Sequence, residues 1–377
     1  MQSRTGRFLT SVSSSQTSEI DLVVSQHFWK LIVSQFLALV FAASAGAADS
    51  LEDRIDQVVP VGFSGQIAIG SSDSVMYSKS FGLADREEGI AVTNETYFDV
   101  GSITKTFTAT AILMLVEKRS VSLDQTLGDY FAEQTQQTST ITIHQLLTHT
   151  SGLPLYSGED DEACDTACFD DWLAEIEPEF SPGTKYQYSN PGYSALARII
   201  EIVSGEPYES FLREKLVRKL RLGTVGYLQL PESADYAVGY YEGQRMGRPP
   251  ELGWMPDGPP WHLRGNGGLL TNAEGLLRWL QATATGRTLT AELQRQQIEQ
   301  HARRGENAWY GYGWTIFEQP WGTVIDHTGG NGFFFADARW VKDRNLLIAI
   351  TNNAFDREST RALLNGIRAA LNLTADE

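Results

Sequence analysis

Positive charge is what this 377-residue sequence has least of. Lysine and arginine number 30 against 47 aspartates and glutamates, for a formal net charge of −17. A nucleic-acid backbone needs basic patches to bind, so nucleic acid is excluded as a partner. Cysteine is nearly absent, and two residues cannot build the framework of a disulfide-stapled domain. Histidine is scarce at six residues, and the zinc-protease pattern H-E-x-x-H does not occur. His144 and His149, in "HQLLTH", stand five apart and do not share a helix face, so both read as structural. The pattern G-x-S-x-G is missing too, which removes the strained serine turn of the α/β-hydrolases. No metal and no cofactor is expected.

Long apolar runs are also few. The clearest is "LIVSQFLALVFAASA" (31–45), preceded by Lys30 and followed by a small-x-small site at Ala45-Gly46-Ala47. Residues 1–47 therefore read as a signal peptide, and the protein as exported, periplasmic or secreted. The 29 polar residues ahead of Lys30 are long for such a leader, as a start codon placed too far upstream would make them. The alternative is membrane anchoring by residues 31–48, about the minimum length for a span but interrupted by Ser34 and Gln35. No stable membrane span is expected after cleavage. No cysteine lies nearby, which argues against a lipid-modified terminus. Residues 1–47 carry a net +1, so the chain without them carries −18.

What is present is enough apolar residue for an ordinary core, 42% of the chain, and a length that suggests two domains at about 100–200 residues each. "SGQIAIG" and "SVMYSKSFGL" predict a hairpin around "SSD". Helical spacing then takes over at 102–118, and again in "DWLAEI" (171–176), "PGYSALARIIEIVSG" (191–205) and "PYESFLREKLVRKL" (207–220). A proline-rich loop, 248–262, holds two tryptophans that either line a cleft or staple the loop down. "TNAEGLLRWLQAT" predicts another helix. The tail returns to strands in "GYGWTIFE", "GTVIDHTG", "GFFFADARWV" and "NLLIAITNN", before a last helix over 357–371.

Strands at both ends and helices between them imply an α+β fold. The terminal strands pair into one antiparallel sheet of five or more strands, flanked by helices. The expected division is a sheet domain over 50–101 and 270–377, a mainly helical domain over 102–269, and an active site in the cleft between them.

Three short stretches carry the chemistry. "GSITKT" (101–106) is not a phosphate loop, because Asp99 and Thr104 stand where that motif needs glycines. Ser102 either caps a helix or is a nucleophile, with Lys105 one turn later on the same face. A serine hydroxyl needs a neighbour to take its proton, and a lysine can do so when burial lowers its pKa. The second stretch is Tyr188-Ser189-Asn190. Its tyrosine can act as acid or base, and its amide can hold Lys105 and a substrate carbonyl together. The third is His327-Thr328-Gly329-Gly330, where glycines at a strand end admit a substrate backbone. Alone, each also reads as an ordinary cap or turn.

Together and in this order, Ser-x-x-Lys, Tyr-x-Asn and His-Thr-Gly resemble the penicillin-recognising serine hydrolases. The resemblance is strongest to the class C β-lactamase group and its esterase and D-aminopeptidase relatives. "FDVGSITKTFTA", "ITIHQLLTHTSGLP", "FSPGTKYQYSNPGYSAL" and "GNGGLLTNAEGLLRW" support it, over roughly residues 62–370. It implies a β-lactamase/transpeptidase-like fold. It makes Ser102 the acylated nucleophile, Lys105 its activating amine and Tyr188 the proton shuttle. Asn190, His327, Gly329 and Gly330 bind substrate, and the N–H groups of Ser102 and Gly330 form the oxyanion hole. The implied substrate is a small molecule or peptide with an ester or amide bond.

At the third motif, true β-lactamases resembling this chain usually carry lysine. His327 is mostly neutral at pH 7 and offers a hydrogen bond but little charge. Esterases and D-aminopeptidases of the group often have histidine there, so esters or small amides are expected over anionic β-lactams. The acidic stretch "SGEDDEACDTACFDD" (157–171) would also repel anions if it borders the cleft. Its Cys164 and Cys168 read as a disulfide in an exported chain, with free thiols the alternative. A metal pair lacks a histidine within the stretch.

Overall fold

Alternating apolar residues build the expected hairpin. β1 (Gly65–Gly70) and β2 (Val75–Phe81) pair antiparallel across the turn at Ser71–Ser74. The computed structural model describes residues 49–373, apart from 224, 229 and 231–234. The signal-peptide and anchoring segments lie outside the described residues. All elements below belong to one compact unit, Arg54–Glu377.

The tail of the chain forms a meander: β3 (Ala302–Arg303), β4 (Ala308–Tyr310), β5 (Thr315–Gln319), β6 (Gly322–Gly330), β7 (Phe335–Val341) and β8 (Leu346–Asn352). β8 then pairs antiparallel with β1, from Gly65 opposite Asn352 to Gly70 opposite Leu347. The result is one eight-stranded antiparallel sheet in the order β3-β4-β5-β6-β7-β8-β1-β2. β1 and β8 are buried at every position, so both sheet faces are covered there. This explains why "NLLIAITNN" reads as a continuous apolar run rather than an alternating one.

Helix α1 (Thr104–Glu117) is buried from Thr104 through Leu115. It shows little amphipathic contrast because neighbours surround it. α2 (Thr166–Glu175) begins five residues earlier than its apolar spacing suggests. Asp165 caps it, accepting from the Cys168 N–H at 2.9 Å, so part of the acidic stretch is helical. α3 (Asn190–Ser204) starts on the Ser189 cap with Pro191 in its first turn, and stops at Gly205 in the left-handed region. α4 (Ala273–Ala284) packs across β8 and β1. Its Trp279 stacks on Phe107 of α1 at 4.1 Å and donates its indole N–H to Thr106 Oγ1 at 2.9 Å. Helix α1 is thereby fixed between the sheet-covering helix and α3, with which it also packs. α5 (Arg357–Ala370) follows the sheet and buries Leu363 and Ile367.

Candidate active site

Ser102 lies in a single 3₁₀ turn, Gly101–Ile103, that leads directly into α1. Its side chain does not cap the helix: neither the turn nor α1 has a side-chain cap hydrogen bond. Instead Ser102 Oγ accepts from Lys105 Nζ at 3.1 Å. The turn is held from below by Asp99, whose two oxygens accept from the Gly101 N–H at 2.7 Å and from Asn331 Nδ2 at 3.0 Å. Burial raises the Asp99 pKa to about 7.

Lys105 is fully buried. Its Nζ also donates to the Asn266 carbonyl at 2.7 Å and stands over the Tyr188 ring, 4.9 Å from its centre. Burial pushes its pKa well below the ordinary value, against the pull of Asp160. The expected bond from Lys105 to Asn190 is not made. Asn190 Oδ1 is shut off from solvent without any hydrogen-bond partner, and the Asn266 carbonyl takes its place at the lysine. Backbone carbonyls leave no side-chain signature, which is why the sequence conceals this contact.

Tyr188 precedes α3, and its hydroxyl hydrogen-bonds Ser102. Burial raises its pKa, so in the free protein it is a phenol at neutral pH, not a tyrosinate. His149 holds it in place. The His149 ring lies 4.2 Å from the Tyr188 ring, its carbonyl accepts from the Gln187 N–H at 2.8 Å, and its Nδ1 accepts from the Ser189 N–H at 3.1 Å. Both chain neighbours of Tyr188 are thus tied to one residue, itself in the left-handed region at φ +57°. His149 is structural, as its spacing suggested, but what it supports is the site. His144 pairs with Tyr312 instead, Nδ1 to hydroxyl at 2.8 Å.

The end of β6 brings the third motif against Ser102. A Cβ on Gly329 would lie 1.9 Å from the Val100 carbonyl oxygen and 2.8 Å from Ser102 N. A Cβ on Gly101, at φ +49°, would lie 2.4 Å from Gly330 N. No side chain fits either place, so the glycines are what lets the strand end and the serine turn touch. The backbone of Gly329 and Gly330 thereby lies against that of Val100, Gly101 and Ser102.

His327 is buried, and both ring nitrogens are engaged. The Thr328 carbonyl can only accept, so Nδ1 carries the proton and donates to it at 2.7 Å. Nε2 then accepts from the Tyr310 hydroxyl at 3.0 Å. Burial, and Lys105 close by, lower its pKa to about 3. The imidazole is therefore neutral, and its one N–H is already occupied by backbone.

A cavity of about 910 Å³ opens on Ser102 and is lined by Tyr188, Asn190 and the loop Glu159-Asp160-Asp161. A second of about 550 Å³ shares Ser102, Tyr188 and Gly330 with it and adds His327 and Arg304. Arg304, which also donates to Thr315 Oγ1 at 2.6 Å, carries no motif that would have revealed it. The two tryptophans of the proline-rich loop divide the expected roles: Trp254 lines the larger cavity, and Trp261 is buried against Phe169.

Cys164 and Cys168 are disulfide-bonded, with Cα atoms 5.3 Å apart. His262 reaches the sulfurs from outside the acidic stretch, but joined to each other they offer no thiolate to a metal. Five of the seven acidic side chains of that stretch divide by role. Asp165 caps α2, Asp170 pairs with Arg198 at 2.9 Å, and Glu159 through Asp161 face the cavity.

An antiparallel meander closed by β1, with a Ser-x-x-Lys helix against the glycine end of β6, is the α+β architecture of penicillin-binding proteins. The crystal structure of a penicillin binding protein from Bacillus halodurans shares it, with a TM-score of 0.72 over 85% of this chain and 99% of that one, at 24% identity. The chain belongs to the Beta-lactamase family, whose match runs over residues 58–372. Penicillin-binding protein 4 of Amycolatopsis lactamdurans is 27% identical over 306 residues, 74% of this chain and 78% of that protein. Esterase EstB of Burkholderia gladioli is 26% identical over 375 residues, 82% of this chain and 92% of that protein. Among the described residues, no helix is long and apolar enough to cross a membrane.

Proposed function

We propose that this protein is an exported serine hydrolase that cleaves ester or small amide bonds through an acyl-enzyme on Ser102. The observation that carries the reading is the buried Lys105 amine, 3.1 Å from Ser102 Oγ. A lysine whose charging is disfavoured by burial can take the serine proton as the oxygen attacks a substrate carbonyl. The carbonyl becomes an oxyanion beside the N–H groups of Ser102 and Gly330, where preorganised donors stabilise developing charge. As the tetrahedral adduct collapses, the bond to the leaving group breaks. A proton from Lys105, relayed through the Tyr188 hydroxyl, neutralises the departing oxygen or nitrogen. Water then enters, gives its proton back along Tyr188 and Lys105, and frees the acid and Ser102. Asn190, which lines the cavity beside Ser102, would offer its amide to the substrate. Export accords with the amino-terminal signal pattern and the disulfide.

A second reading, a β-lactamase or D,D-carboxypeptidase, draws on Arg304, a cation able to receive a carboxylate beside Ser102. His327 weighs the other way, because its neutral ring adds no charge for an anionic drug. A p-nitrophenyl acyl ester should turn over faster than a cephalosporin, and a fluorophosphonate should label the protein but not Ser102→Ala. Rapid cephalosporin hydrolysis with a much slower ester rate would reverse the order. Failure of the wild type to label would instead favour a non-catalytic binding protein of the same fold.

A further inference from the structure

The contact between the serine turn and the end of β6 is made by glycines, and glycines bring no side chain to bury. Gly101, Gly329 and Gly330 therefore supply little apolar attraction of their own at this seam. The fit is nonetheless tight, since a Cβ on Gly101 would lie 2.4 Å from Gly330 N. Two side-chain contacts tie the segments that flank it. The Phe98 and Phe334 rings meet edge to face with centres 6.5 Å apart. Next to them, Asp99 and Asn331 are hydrogen-bonded.

That second contact is part of a continuous bracket. Asp99 is buried, and its oxygens accept from the Gly101 N–H at 2.7 Å and from Asn331 Nδ2 at 3.0 Å. Asn331 Oδ1 in turn accepts from the Phe334 N–H at 3.0 Å and the Phe333 N–H at 3.4 Å. Hydrogen bonds thus run unbroken from the backbone beside Ser102 to the turn between β6 and β7. Among the described residues, no other side-chain hydrogen bond crosses from 99–102 to 329–334. A bond accepted by a carboxylate is stronger than a neutral one, and a buried carboxylate that loses a donor is costly to leave unpaired.

Resting on the serine-hydrolase reading, we infer that Asp99 and Asn331 are positioning residues, whose hydrogen bond holds the Gly330 end of β6 against the serine turn and so sets the N–H groups that receive the oxyanion. Neither has to touch the substrate. Loosening the bracket therefore slows the chemical steps and leaves binding nearly as it is, because a misplaced donor counts most where charge develops.

The test exchanges the two side chains and follows p-nitrophenyl butyrate at pH 8, above the value of about 7 to which burial raises the Asp99 pKa. With the other bonds of the bracket kept, Asp99→Asn sets amide N–H groups against amide N–H groups. Asn331→Asp sets carboxylate against carboxylate. Each should lower kcat about 100-fold, with KM within about threefold of the wild type. The double variant Asp99→Asn/Asn331→Asp restores the pair in reverse: residue 99 donates, residue 331 accepts, and both still accept from the Gly101 and Phe334 N–H groups. Its kcat should recover about tenfold or more over either single variant. A purely structural role would lower kcat only in step with stability, which urea unfolding of each variant measures.

Single variants that keep kcat within about threefold of the wild type overturn the inference and leave the hydrolase reading intact. So does a loss that the double variant fails to restore, which would make the two residues act separately. So does a loss that falls on KM alone, which would make them substrate contacts. If the wild type takes a fluorophosphonate label but does not turn the ester over, the same ranking is read in the labelling rates. Absence of both labelling and turnover removes the hydrolase reading and the inference with it. If the Asp99→Asn variants do not fold, Asn331→Ala, on the half-buried turn, decides instead. Its kcat should fall about tenfold or more with KM held, and an unchanged kcat overturns the inference.

Discussion

His327→Gln should make the protein resist acid better than the wild type, by an amount that the burial of one imidazole sets. In the folded chain the His327 pKa is held down to about 3 by burial and by Lys105. In the unfolded chain it returns to about 6.5. Above that value the ring is neutral in both states and pH has no leverage through it. Below it the unfolded chain takes up a proton that the folded chain refuses, so stability is lost as pH falls from about 6.5 to about 3. Each pH unit in that window is worth about 1.4 kcal/mol, so two units, from 6.5 to 4.5, remove about 2.7 kcal/mol. Glutamine does not titrate, and its amide can still accept from Tyr310 and donate to the Thr328 carbonyl. Asp99 and Asp326, whose pKa values burial raises to about 7, drive the slope the opposite way, but they do so in both proteins and cancel in the difference. Urea unfolding followed by tryptophan fluorescence at pH 7.5 and 4.5 reads that difference directly. The variant should gain about 2–3 kcal/mol on the wild type between the two. A gap that stays constant would mean that folded His327 protonates near its ordinary pKa. The neutral, backbone-bound imidazole would then be wrong, and with it the case against a fixed charge at the third motif.

Gly329→Ala drives a methyl group into the Val100 carbonyl and Ser102 N, so β6 must withdraw from the serine turn. Stability should fall by about 1–3 kcal/mol, and kcat by about 100-fold or more as the paired N–H groups separate, measured by denaturant titration and ester kinetics. The rate itself should fall as pH drops, because only neutral Lys105 can accept the serine proton. The midpoint should lie below the ordinary lysine range, since burial disfavours the charged amine. His327 contributes nothing to that limb above about pH 4. A rate unchanged down to pH 4.5 would remove Lys105 as the base.

The amino-acid sequence was enough for the α+β class, the β1–β2 hairpin, the four tail strands and the helices at α1 and α3. These rest on local spacing, on the Ser189 cap and on the Gly205 stop, all of which act within a few residues. Ser102, Lys105, Tyr188, Asn190, His327 and Gly330 could be proposed because three short motifs fell in a recognisable order. Their contacts could not be read. Oγ of Ser102 bonds Lys105 rather than capping α1, and the Asn266 carbonyl holds the lysine that Asn190 was expected to hold. The N–H of His327 faces backbone rather than the cleft. Arg304 and Asp160 reach the site from a strand edge and a loop with no pattern of their own. Local spacing determines which side chains share a helix face or a strand. Which charges border the nucleophile, and which pKa values burial moves, depend on distance and dielectric between segments far apart in the chain, and only the packed structure decides those.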